Sequence, residues 1–154
     1  DTWTCTASSC LMVARDEANQ LGSKEAEYEL VQLGVDGVAA MLQTTAKGAS
    51  IERVPEVLNR IAKDSNIPAL SGYELRQGMS IENLRAVTGS GRPAIASVRV
   101  PGPPEGLHAV VVDGITDDGH VLIRDPSPRP SGETYTVPVE GFMADWEGRA
   151  VVKP

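Results

Sequence analysis

The chain has 154 residues, 41% of them hydrophobic, which is enough to bury the core of one globular domain spanning residues 1–154. Fourteen basic residues against 21 acidic ones give a net charge of −7, so neither nucleic acid nor an anionic membrane is expected as a partner. No run approaches the roughly 18 apolar residues of a membrane span, and Asp1-Thr2-Trp3-Thr4 has neither the basic start nor the apolar stretch of a signal peptide.

Leu11, Ala14, Ala18 and Leu21 recur at helical spacing and Gly22 is placed to end that helix, which therefore begins near Cys5. Residues 24–43 carry Ala26, Leu30, Leu33, Val38 and Leu42, expected as two short helices broken near Gly34 or Gly37. Gly48-Ala49-Ser50 is a turn, and Val54, Val57, Leu58 and Ile61 mark another helix that tolerates Pro55 in its first turn. The helical half ends near Pro68. After GYEL and a short helix around SIENLRAV come the β-rich runs PAIASVRV, HAVVVDGI, HVLIRD and TYTVPV, read as an antiparallel sheet. Glu140 to Trp146 suggests a last short helix before RAVV returns as a strand, and SPRPSG at 127–132 is expected as a mobile loop.

Two cysteines cannot make a disulfide framework, and five residues apart on one helix their Cα atoms would sit roughly 8 Å apart, beyond bridging distance. Both are read as free thiols. Cys5 stands at the helix start, where the macrodipole and unpaired N–H groups favour a thiolate. Its base must be one of two histidines. His120 follows the hairpin signal Asp117-Asp118-Gly119 and reads as a solvated residue at a strand start. His108 opens AVVV, at the edge of a core. From His108 the chain runs through one strand, turns at TDDG and returns along HVLIR to Asp125, so Asp125 can lie beside the His108 ring. A carboxylate there would fix the tautomer of an imidazole aimed at a thiol. Taken singly, each signal is as ordinary as a packed thiol, a strand-opening His or an Asp-Pro turn. Two Cys and two His at these spacings match no zinc pattern, so no metal and no cofactor are expected.

Together these segments resemble the papain-like cysteine peptidases, in the branch of bacteriocin-exporter peptidase domains and papain-fold toxin domains of bacterial polymorphic effectors. CTASSCLMV is similar to that branch's CGxAxLxMV pattern, with Cys5 as nucleophile, Ala7 and Ser8 as the small residues and Met12-Val13 in register. Cys10 then falls among core residues as a packed thiol. RPAIASV followed by HAVVVDGI is similar to the Pro-rich strand entry and the His-bearing strand, and VLIRDPS to the Asp-Pro segment carrying the third triad member. FMADWEGRAVV also looks like the closing segment of such toxin domains.

The resemblance implies an α+β papain-like fold, N-terminal helices packed on a C-terminal antiparallel sheet, and a Cys5-His108-Asp125 triad. It also implies an oxyanion-binding Gln several residues before the nucleophile. Only four residues precede Cys5 and none is Gln, so the donor is expected upstream of Asp1 or from Thr2 or Thr4. Thr6 stands where Gly usually follows the nucleophile, which would narrow the cleft. The implied activity is proteolysis of a target-cell protein, expected after Gly-Gly, by an effector toxin domain delivered through a bacterial secretion system and partnered by an immunity protein. Glutamine deamidation on the same triad and non-catalytic peptide binding are the alternatives.

Overall fold

The computed structural model describes residues 4–43, 49–100, 106–126 and 133–154. The loop expected at 127–132 lies outside the described residues, as do Thr2 and Gly48.

Helix α1 runs from Cys5 to Leu21 and ends where Gly22 takes a left-handed φ of 70°, returning its N–H to the carbonyls of Ala18 and Asn19. Its first half is buried almost all round: Cys5, Thr6, Ala7, Ser9, Cys10, Leu11, Val13 and Ala14 are all covered. The reason is its central position, with helices on one side and the sheet on the other. The small side chains Ala7, Ser9 and Ala14 let both layers come close.

Helix α2, Lys24–Met41, opens on Ser23, whose hydroxyl accepts the Ala26 N–H at 3.1 Å. The expected break falls at Gly34 (φ 60°, ψ 178°), a backbone setting that a residue with Cβ resists. Helix α3, Val54–Asp64, buries Val54, Val57, Leu58 and Ile61 along one stripe, with Pro55 in the first turn where no N–H is missed.

The strands are β1 (Glu74–Arg76), β2 (Ala94–Val100), β3 (Gly106–Ile115), β4 (His120–Asp125), β5 (Glu133–Pro138) and β6 (Trp146–Val152). They form one six-stranded sheet in the order β1-β6-β2-β3-β4-β5, antiparallel at every pairing. The hairpins β2–β3, β3–β4 and β4–β5 follow the chain, whereas β6 returns to lie between β1 and β2. This central place explains why RAVV is so apolar: Ala150, Val151 and Val152 are buried. The short GYEL segment supplies β1, and Trp146 opens β6 rather than closing the preceding helix.

Alternation along the strands sends Ile95, Ala109, Val111 and Val151 toward α1–α3, and Ala94, Ala96, Val110, Val112, Val121 and Ile123 into a second core. Helices α4 (Ile81–Thr88) and α5 (Val139–Asp145) pack on that second face, α4 held by a capping box between Ser80 and Asn83. The sheet is thus covered on both sides. The N-terminus of α1 meets it at the beginning of β3.

Candidate active site

Ala109, on β3, holds the start of α1 from two directions. Its N–H donates to the Cys5 sulfur at 3.5 Å, and its carbonyl accepts from the Ser9 hydroxyl at 3.3 Å, one helical turn further along. A second clamp fixes the middle of the helix. Arg124 on β4 grips Asp16 of α1 (3.0 and 2.5 Å) and Asp113 of β3 (2.8 and 2.7 Å) with bidentate geometry to each. The rotation of α1 about its axis is set by these contacts, and Cys5 faces the β3 edge as a result.

His108 immediately precedes Ala109. Its Nε2 lies 2.6 Å from the Asp125 carboxylate, which leaves Nδ1 free to act on the Cys5 thiol, to which the ring is electrostatically coupled. Pairing of Val111 with Arg124 puts Asp125 next to Val110 and diagonal to His108, on the same side of the two strands. The second carboxylate oxygen of Asp125 accepts from the Tyr135 hydroxyl at 2.8 Å. Tyr135 pairs with Ile123 across β4–β5, again one diagonal step from Asp125. Burial and the neighbouring carboxylate push its phenol well above the ordinary range, so it stays a donor.

The electrostatics follow from these contacts. Burial pushes the Cys5 thiol up, but hydrogen bonds from His108 and the Ala109 amide outweigh it and hold the thiol below its ordinary value. Burial likewise pulls His108 down, yet its hydrogen bonds to Cys5 and Asp125 prevail and push it up to about 9. Opposite shifts on two partners favour a thiolate beside an imidazolium.

The three residues singled out in the sequence are therefore brought together, and the two left aside are not. Cys10 is a free thiol with no exposed surface, pushed up to about 12 by burial. His120 opens β4, partly exposed, with its Nδ1 3.3 Å from Asp118. Sequence reasoning missed Tyr135, although the alternation of TYTVPV opposite HVLIRD places it on the Asp125 side. It also missed the Arg124 clamp, whose partners are far apart in the chain.

A cleft of about 290 Å³ opens beside the thiol, lined by Cys5, Thr6, His108 and Ala109 together with Ser97, Arg149 and the segment from Ala49 to Ile51. Thr6 is buried and donates its hydroxyl to the Ala49 carbonyl at 2.8 Å, so it spans the cleft wall rather than pointing into solvent. No Gln or Asn lines the cleft among the described residues. Nor do any three His, Cys, Asp or Glu side chains among them stand close enough to hold a metal ion.

Helices on one side, an antiparallel sheet on the other and a thiol at the helix end facing that sheet make this a papain-like cysteine peptidase. The chain belongs to the Peptidase_C39-like family, whose model matches residues 3–153. The structure is similar to the crystal structure of the peptidase domain of Streptococcus ComA, a bifunctional ABC transporter involved in quorum sensing. The TM-score is 0.64 at 21% identity, with 100% of this chain and 93% of that one covered. It is also similar to the peptidase domain of Streptococcus mutans ComA, with a TM-score of 0.53, 20% identity, and 75% and 84% of the two chains covered. Among curated protein sequences, none matches this chain.

Proposed function

We propose that proteolysis runs through Cys5 as nucleophile, His108 as acid and base, and Asp125 as the group that orients His108. The observation that carries this reading is the 2.6 Å contact between Nε2 of His108 and Asp125, which leaves Nδ1 to Cys5. The thiolate attacks the scissile carbonyl carbon, and the resulting oxyanion lies at the N-terminus of α1, where the first N–H groups have no partner within the helix. His108 gives its Nδ1 proton to the leaving amine as the C–N bond breaks, leaving a thioester on Cys5. Neutral His108 then takes a proton from water, which attacks the thioester. The C–S bond breaks and the thiolate–imidazolium pair is restored.

The substrate we propose is a target-cell protein cut after paired glycines. Thr6, fastened to Ala49 across the cleft wall, supports a channel that residues without Cβ thread most easily. The resemblance to papain-fold toxin domains supports a role as a delivered antibacterial effector acting in the target-cell cytoplasm, with an immunity protein as partner.

The test is to incubate wild type and Cys5→Ala with bacterial lysate and map new protein N-termini by mass spectrometry. New termini after Gly-Gly, made by wild type and His120→Ala but not by Cys5→Ala or His108→Ala, are the expected result. No new termini, but a mass gain of about one unit at a glutamine, would replace proteolysis by deamidation. Growth arrest on expression of wild type and not of Cys5→Ala is expected of a toxin; equal growth would remove that role.

A further inference from the structure

Opposite the buried Ser97 of β2, strand β6 departs from regular pairing. Ala150 pairs with Ala96 and Trp146 with Val98, so Glu147, Gly148 and Arg149 bulge against a single residue. Gly148 makes the bulge possible. Its φ is 81°, and a Cβ there would meet the Met79 backbone at 3.0 Å. The bulge brings Arg149 to the wall of the cleft that contains Cys5 and His108. Among the described lining residues, no acidic side chain opposes it there.

Arg149 is mostly buried, with 21% of its side chain exposed, and its Nη2 donates to Glu52 at 3.0 Å. Glu52 is the loose partner, with 63% of its side chain exposed. A guanidinium largely withdrawn from water binds a carboxylate more strongly than a surface cation does, whereas an exposed glutamate loses little by moving into water. The Glu52 end of this pair is therefore the one that gives way most easily.

We propose that Arg149 is a specificity-determining residue that selects substrates with an Asp or Glu side chain close to the scissile bond. The distance follows from the sheet. Ser97 pairs with Ala109, so β6 lies two strands from β3, roughly 10 Å away. An extended peptide covers that distance in about three residues. The acidic residue lies within about three positions of the cut bond, flanking the paired glycines, which remain nearest the sulfur. This inference rests on the proposed peptidase reading and adds an acidic side chain to its substrate.

The experiment digests a peptide library prepared from a bacterial proteome with wild type, Cys5→Ala, Arg149→Met, Arg149→Glu and Glu52→Gln. Met retains the apolar stem of Arg149 and removes only the charge. Thermal unfolding and alkylation of Cys5 by iodoacetamide report that each Arg149 variant is folded with an intact nucleophile. Wild type should enrich Asp and Glu at one position near the cut. For matched peptides carrying Glu, Gln or Lys there, its preference for Glu over Gln should be about tenfold in kcat/KM. The ratio should fall close to one in Arg149→Met, reverse toward Lys in Arg149→Glu and rise in Glu52→Gln. Cleavage by wild type without acidic enrichment, or an enrichment unchanged in Arg149→Met, would overturn the proposal and leave the peptidase reading standing. If nothing is cut, it is the peptidase reading that fails. Capture of the same library on immobilised Cys5→Ala, with and without Arg149→Met, then decides the role of Arg149. Acidic peptides bound only with Arg149 present support it, and equal capture overturns it.

Discussion

The first and second turns of the seventeen-residue helix α1 set two cysteines in opposite chemical states. Both hold a buried cysteine, 7% exposed at position 5 and without exposed surface at position 10. Burial pushes both thiols in the same direction, yet Cys5 ends below its ordinary value and Cys10 is pushed up to about 12. The difference is the company each keeps. Cys5 has His108 and the Ala109 amide, and Cys10 has apolar neighbours and its own backbone. Depth of burial alone therefore does not make a thiol inert. What decides is whether a donor that stabilises the thiolate is buried with it.

The largest effect that could break this comparison is on catalysis. Cys5→Ala should lower peptidase activity by at least about 10³-fold while leaving thermal unfolding nearly unchanged. Cys10→Ala should keep its activity and lose on the order of 1 kcal/mol of stability, as expected for a small core cavity. Activity lost on Cys10→Ala in a folded protein, and kept on Cys5→Ala, would reverse the assignment.

A pH series sharpens the contrast further. The proposed mechanism uses Cys5 deprotonated and His108 protonated. Activity should therefore rise with pH through a thiol value below the ordinary one and fall as His108 loses its proton at about 9. Iodoacetamide below pH 7 should label Cys5 quickly and leave Cys10 untouched. Equal labelling of the two in native protein would show that their surroundings do not differ as described.

The smallest expected effect lies one layer further out. Tyr135→Phe removes the hydroxyl that donates to Asp125 without touching His108. A loss of about tenfold or less in kcat/KM is expected. His108 should keep its partner, so the alkaline limb should stay near that of wild type. A loss as large as that of Cys5→Ala would mean that Tyr135 organises the site rather than supporting it.

Much of this architecture was legible in the chain. The end of α1 was marked by Gly22, the strands by β-branched runs, and the approach of Asp125 to His108 by the length of one hairpin, because all of these depend on near neighbours in sequence. The approach of Cys5 to the start of β3 has no such local cause, since Cys5 and Ala109 are 104 positions apart, and it was expected from motif resemblance alone. What the sequence could not decide was long-range. That β6 returns between β1 and β2, and that Arg149 thereby reaches the cleft beside Cys5, follows from a pairing of residues about fifty positions apart. Likewise, the grip of Arg124 on Asp16 bridges 108 positions. Local patterns state which face of an element is apolar, but the partner of that face is chosen by the packing of the whole core, and only the folded chain assigns each charge its neighbour.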